Sequence, residues 1–148
     1  METIRPDLST RPWRATAERV VAVEPRELFR AFTDQIDRWF AAPGTVLMDP
    51  RVDAPYFFET RYDGQRHPHY GRFLRLEPDR LVEMTWLTAA GTRGAETVVT
   101  VELTRAERGT RVRVTQAGLP DEDSLAGLED AWSATLEHLE RCLRPGVS

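Results

Sequence analysis

"LEDAWSATLEHLERCL", residues Leu128 to Leu143, is the stretch that decides the fold. At about 100° per residue, Leu125, Leu128, Trp132, Leu136, Leu139 and Leu143 fall on one helical stripe with the tryptophan at its centre. A tryptophan in mid-stripe needs a broad partner surface, so the rest of the chain must supply a sheet or further helices.

Upstream, it supplies a sheet. From about Thr45 to Gly118 the apolar period is two, broken by turn signals at Asp63-Gly64, Glu77-Pro78-Asp79, Gly91 to Gly94 and Arg108-Gly109. In "VVTVELT", Val99, Val101 and Leu103 face one way and Thr100, Glu102 and Thr104 the other; in "TRVRVTQ", Val112 and Val114 face inward. "LVEMTWL" puts Val82, Met84 and Trp86 on one face, with Glu83 and Thr85 opposite. This is an antiparallel meander with one dry face. The inward faces of Pro55–Tyr62 and His67–Glu77 stay open, because Phe57 and Phe58 are adjacent and Gly71 is a candidate bulge.

"ATAERVVAV", Ala15 to Val23, reads as a first strand. Pro25 then opens a short helix carrying Leu28, Phe29 and Phe32, and Thr33 is expected to cap a second, "DQIDRWFA", with Ile36, Trp39 and Phe40 inward. The long helix is expected to start near Asp121, where Asp121, Glu122 and Asp123 meet the positive end of its dipole. The expected architecture is α+β: a curved antiparallel sheet of about seven strands wrapped around the C-terminal helix. Residues 1–14 are expected to be an extension and 15–144 one domain.

A chain of 148 residues fits one core. It is 41% hydrophobic and 30% charged, and no apolar run approaches the roughly 20 residues of a membrane span. The opening residues lack the apolar segment of a signal peptide, so the expected location is cytoplasmic. All 20 basic residues are arginine, dispersed among acids at a net charge of −4, which argues against nucleic-acid binding. Cys142 is the only cysteine, which excludes an internal disulfide, and is expected as a half-buried structural thiol. His67 and His69, in "HPH", share a strand face and invite a metal, but no third ligand accompanies them, and they are read as exposed. His138 is read as a surface residue. No phosphate loop, nucleophile elbow or zinc helix is present, so no catalytic residue, metal or cofactor is assigned.

"RWF" in the second short helix, "LVEMTW" in a central strand and, above all, "QAGLPDEDSLAGLEDAWSATLEHL" resemble, in order, the bacterial relatives of the activator of the ninety-kilodalton heat-shock chaperone's ATPase. That family lies in the helix-grip superfamily, with START-like lipid carriers and polyketide aromatase/cyclases. The likeness spans roughly Ala17 to Leu143. Ala131 stands where relatives often have glycine, which suggests slightly different packing. Eukaryotic activators carry a separate N-terminal domain, and fewer than about 20 residues precede the first strand here.

The resemblance implies a cavity between sheet and helix. A curved sheet cannot follow a straight helix along its length, so large side chains must fill the gap or leave a pocket. Trp39, Phe58, Met84, Trp86 and Trp132 are the expected apolar lining, with Thr60 and Gln116 as polar anchors. The expected function is binding of a small hydrophobic or aromatic ligand by a monomer or homodimer. One alternative is a chaperone-activating interaction module; another is an aromatase/cyclase-type enzyme or hydrolase. Catalysis ranks below binding because no proton-transfer residue can be placed inside the pocket, and a buried His, Asp or Glu beside it would reverse that order.

Overall fold

The computed structural model describes residues 3–143, so the expected domain end at residue 144 lies just outside. The elements run β1 (Trp13–Val21), α1 (Pro25–Ala31), a 3-10 turn (Ile36–Arg38), β2 (Leu47–Met48), β3 (Pro55–Tyr62), β4 (Gln65–Glu77), β5 (Leu81–Trp86), β6 (Thr97–Ala106), β7 (Gly109–Leu119) and α2 (Leu125–Leu143). The seven strands form one antiparallel sheet in the order β1-β7-β6-β5-β4-β3-β2, and it grips α2 as expected.

The alternating pattern sets the faces. Phe73, Met84, Val99, Gln116 and Ala15 pair in one row across β4, β5, β6, β7 and β1, all of them buried. Val82, Val101, Val114 and Ala17 form the next row, and Trp132, Leu136, Leu139 and Leu143 of α2 close over them. The polar member, Gln116, attaches the helix. Trp132 Nε1 donates to Gln116 Oε1 at 2.9 Å, Gln116 Nε2 donates to Thr97 Oγ1 at 3.1 Å, and Thr97 Oγ1 donates to the Trp86 carbonyl at 2.6 Å. A buried amide without partners would be strongly unfavourable, so this relay fixes the indole over the sheet.

α2 also reaches the outer edge of β1. Glu129 accepts from the Thr16 amide at 3.2 Å, and Glu140 accepts from the Ala22 amide at 3.3 Å and from Arg19 Nε at 3.0 Å. The first bond satisfies an outward backbone donor of β1, and the second that of Ala22 just past the strand's end.

Several local expectations are corrected. α2 starts at Leu125, because Asp121 folds back to accept from the Ser124 amide and hydroxyl at 3.0 and 2.8 Å and so holds residues 121–124 in a turn. Thr33 does not cap a second helix: its hydroxyl donates back to the Phe29 carbonyl at 2.8 Å, and the chain continues into the 3-10 turn. Cys142 is exposed, one position off the buried stripe. The sheet is not dry on one face alone. Residues 3–12 cross its outer side, where Arg5 pairs with Glu83 at 2.6 Å, Leu8 sits over Gly118, and Arg11 donates to the Gly118 and Glu96 carbonyls. Glu83, expected outside, is buried beneath Arg5; Thr85, also expected outside, is buried where Tyr56 and Arg72 meet it.

Gly71 is not an extra residue; the register shift falls between Phe73 and Arg75. The ladder between β4 and β5 nevertheless opens at Gly71. Tyr56 of β3 crosses the glycine to donate to the Thr85 carbonyl at 2.6 Å, while Thr85 Oγ1 accepts from the Arg72 amide at 2.9 Å. A Cβ at position 71 would collide with both the Thr85 carbonyl and the Tyr56 ring. Burial pushes the Tyr56 phenol far above its usual pKa, so the hydroxyl remains a donor.

Two substitutions test this frame by chemical denaturation. Gly71→Ala is expected to destabilise by about 1–3 kcal/mol, as overpacking does, and Trp132→Ala by about 3–5 kcal/mol. Unchanged midpoints would contradict the glycine crossing and the helix placement respectively.

Candidate functional site

Around Trp132 a cavity of about 530 Å³ opens between α2 and the sheet. Its inner wall is aromatic: Phe40, His69, Trp86 and Trp132. Exposed residues rim the mouth, with Tyr62, Gln65 and Arg66 from the β3–β4 hairpin, Ala89 to Gly91 from the loop after β5, and Ala131 from α2. Ala131 therefore faces the cavity mouth and not the sheet. Among the described residues, no Asp or Glu lines the space.

The residues expected to line a pocket divide into two groups. Thr60, Trp86, Gln116 and Trp132 lie on the cavity wall. Trp39 and Met84 lie deeper, with Phe32, Ile36 and Val99, around a small gap with no room for water. Trp39 is fixed there by donating Nε1 to the Ala31 carbonyl at 2.7 Å, and exposed His138 donates to the Trp39 carbonyl at 2.8 Å. Phe58 is fully buried behind His69, their rings stacked at 4.7 Å. Gln116 faces the cavity, but both its amide ends already serve the relay.

The residue that sequence reading missed is His69, which is buried and not exposed. Register explains it: Phe58 pairs with His69 and Thr60 with His67, so the face that buries Phe58 also turns both imidazoles inward. The "HPH" alternation gave their shared side, but not which side. His69 lies edge-on to Trp86 at 5.0 Å and to Phe40 at 5.7 Å. Its Nδ1 is 2.8 Å from the His67 carbonyl and must donate to it, which leaves Nε2 as an acceptor. Burial lowers its pKa from 6.5 to about 4, outweighing the carbonyl bond that would favour the charged ring. The Nε2 of His67 is buried without a partner.

A larger groove of about 740 Å³ lies outside the sheet, walled by Arg26, Arg75, Arg80 and Arg105 together with Glu24, Glu77, Asp79 and Glu102. Ion pairs Arg75–Glu77 and Arg105–Glu24 occupy much of that charge, and the groove lacks an aromatic wall. Among the described residues no group of three or more His, Cys, Asp or Glu could hold a metal, and no helix is long and apolar enough to cross a membrane.

A curved sheet gripping a C-terminal helix, with a ligand-sized space between them, defines a helix-grip protein of the START-like class. The chain belongs to the family described as Activator of Hsp90 ATPase homolog 1-like protein, which matches residues 22–144. Its structure is similar to that of protein CV1439 from Chromobacterium violaceum, at 26% identity and a TM-score of 0.76, over 89% of this chain and 97% of that one. Protein Mll3558 from Rhizobium loti is 28% identical with a TM-score of 0.73, over 88% and 96% of the two chains. DynU16, a protein of the dynemicin biosynthetic locus, shares the fold at 20% identity and a TM-score of 0.72, over 90% of this chain and 48% of that one. No curated protein matches the sequence significantly.

The neutral state of His69 has a measurable consequence. Its folded pKa of about 4 lies below the unfolded 6.5. As pH falls between these values the unfolded chain takes up a proton that the folded chain refuses, so stability is lost on acidification and nothing is gained above about pH 7. Between pH 7 and 4.5 the expected loss from this residue is about 2–3 kcal/mol. Urea titrations of the wild type and His69→Phe should show that part of the slope missing in the variant. Identical slopes would mean that His69 titrates normally.

Proposed function

We propose that the protein binds a small, flat, predominantly apolar aromatic molecule in the cavity between the sheet and α2. The observation that carries this reading is the cavity itself: about 530 Å³, open at one end, walled by Phe40, His69, Trp86 and Trp132, and free of carboxylates. Indole and imidazole walls favour ring stacking and edge contacts. A fatty acid suits the space less well, because the wall offers no buried cation for its carboxylate. Arg66, the one arginine lining the cavity, sits exposed at the mouth.

His69 meets, in position, the condition for ranking catalysis above binding. It does not meet it in basicity. A general base works best with a pKa near the working pH, and burial has moved this imidazole away from that value, which makes it a hydrogen-bond acceptor first. The family's description supports a second reading, a module that interacts with a chaperone and raises its ATP turnover. An ATPase assay with the bacterial chaperone separates the two, and no stimulation is expected.

The direct test is native mass spectrometry with tryptophan-fluorescence titration against bicyclic and tricyclic aromatics and fatty acids. Trp86 and Trp132 contact each other at 5.6 Å on the cavity wall, so occupancy should quench or shift their emission. Ala131→Leu, placed on the exposed side of α2, should obstruct the mouth and weaken aromatic binding about tenfold or more, while Arg113→Ala on the far face changes nothing. Failure of every panel member to bind, or indifference to Ala131→Leu, would overturn the proposal.

A further inference from the structure

We infer that His69 selects the ligand: the cavity is built for an aromatic ring carrying a hydroxyl group that donates to His69 Nε2. This deepens the proposed function and rests on it.

The argument is a count of polar atoms on the inner wall. Gln116 is engaged at both ends, with Trp132 on its oxygen and Thr97 on its nitrogen. The His69 Nδ1–H is engaged by the His67 carbonyl, and that carbonyl fixes the tautomer. His69 Nε2 makes no hydrogen bond with any described residue, although the ring is buried and forms part of the wall. It is therefore a lone pair offered to the cavity. Thr60 and His67 lie beside it on the same face through the pairing Thr60↔His67; His67 Nε2 also lacks a partner among the described residues, and it is His69 whose ring is fixed between Phe58, Trp86 and Phe40 on the inner wall.

Geometry also fixes how the ring can be held. Phe58 stacks behind the imidazole with an interplanar angle of 13°, and Trp86 and Phe40 stand at 82° and 79° to it. The imidazole cannot turn without displacing all three, so its edge stays presented. A donor hydroxyl on a flat ring lying against Trp86 and Trp132 meets this edge. A carboxylate does not, since a neutral imidazole acceptor repels it and no cation lies nearby at this depth. An ether or bare hydrocarbon would displace water from Nε2 and leave it unpaired, which carries a penalty for a buried acceptor.

The test uses three probes that share one ring system: 2-naphthol, 2-methoxynaphthalene and naphthalene, titrated by calorimetry at pH 7.5 into the full chain and into His69→Phe. The variant keeps a flat ring to stack on Phe58 and removes the acceptor, and its melting temperature reports whether it folds. For the wild type, the expected result is 2-naphthol bound about five- to tenfold more tightly than its methyl ether, corresponding to about one hydrogen bond. In the variant this preference should vanish while naphthalene affinity stays within about twofold. Equal affinities for naphthol and ether in the wild type overturn the inference without any variant and leave aromatic binding standing. A preference that persists in His69→Phe overturns it as well, by assigning the acceptor elsewhere. If none of the three probes binds the wild type, the aromatic-pocket reading fails and the inference fails with it.

Discussion

The glutamine beneath the helix is the constraint on which the architecture turns. Gln116 lies in a row of otherwise apolar side chains, where a methionine or leucine would fill the volume and satisfy the alternation. An amide there is tolerated only while both ends are paired, and the partners come from opposite layers: Trp132 from α2, and Thr97 with the Trp86 carbonyl from the sheet. The bond is therefore directional where hydrophobic packing is not. It fixes the middle of the helix over the sheet; toward Leu143 the leucines pack into the core, and toward Leu128 the cavity lies beside the helix.

Much of this was legible in the sequence, for reasons that differ by element. The stripe through Trp132 and the alternation of Val99, Val101 and Leu103 each carry a single period, and each names its buried face. β3 and β4 carry no such signal. Phe57 and Phe58 are both apolar, Tyr70 is aromatic yet exposed, and Gly71 has no side chain to show a side. The inward face there is decided by the hairpin register and by Tyr56 reaching across Gly71, both of which are tertiary facts. His69 was missed for the same reason. A histidine reads as polar, and its burial depends on the neighbouring strand presenting Phe58 to stack against it. The outer face was misread because the chain before β1, with its prolines and arginines, looks like a loose extension, yet Arg5 and Leu8 find partners on the sheet.

Membership of the Activator of Hsp90 ATPase homolog 1-like family fixes the scaffold, but within it function is a property of the site. The cavity combines an aromatic wall with few polar atoms: the Gln116 amide and the His69 Nδ1–H are engaged, while the Nε2 atoms of His67 and His69 have no partner among the described residues.

The carboxylates that α2 places against β1 bear on the protein's behaviour in a crowd. β1 is a long terminal strand, and the outward amides of such a strand are a template on which another chain can add a strand of its own. Glu129 occupies one of those amides, Glu140 takes that of Ala22 just past the strand, and both bring negative charge to the edge, while at the opposite end of the sheet β2 is only two residues long. Neither edge is an inviting one. The helix that walls the cavity is also a guard over the sheet, and it is the last of the described elements to leave the ribosome. During synthesis the β1 edge stays bare until those final turns emerge, and that is the interval in which this chain is most open to intermolecular strand addition.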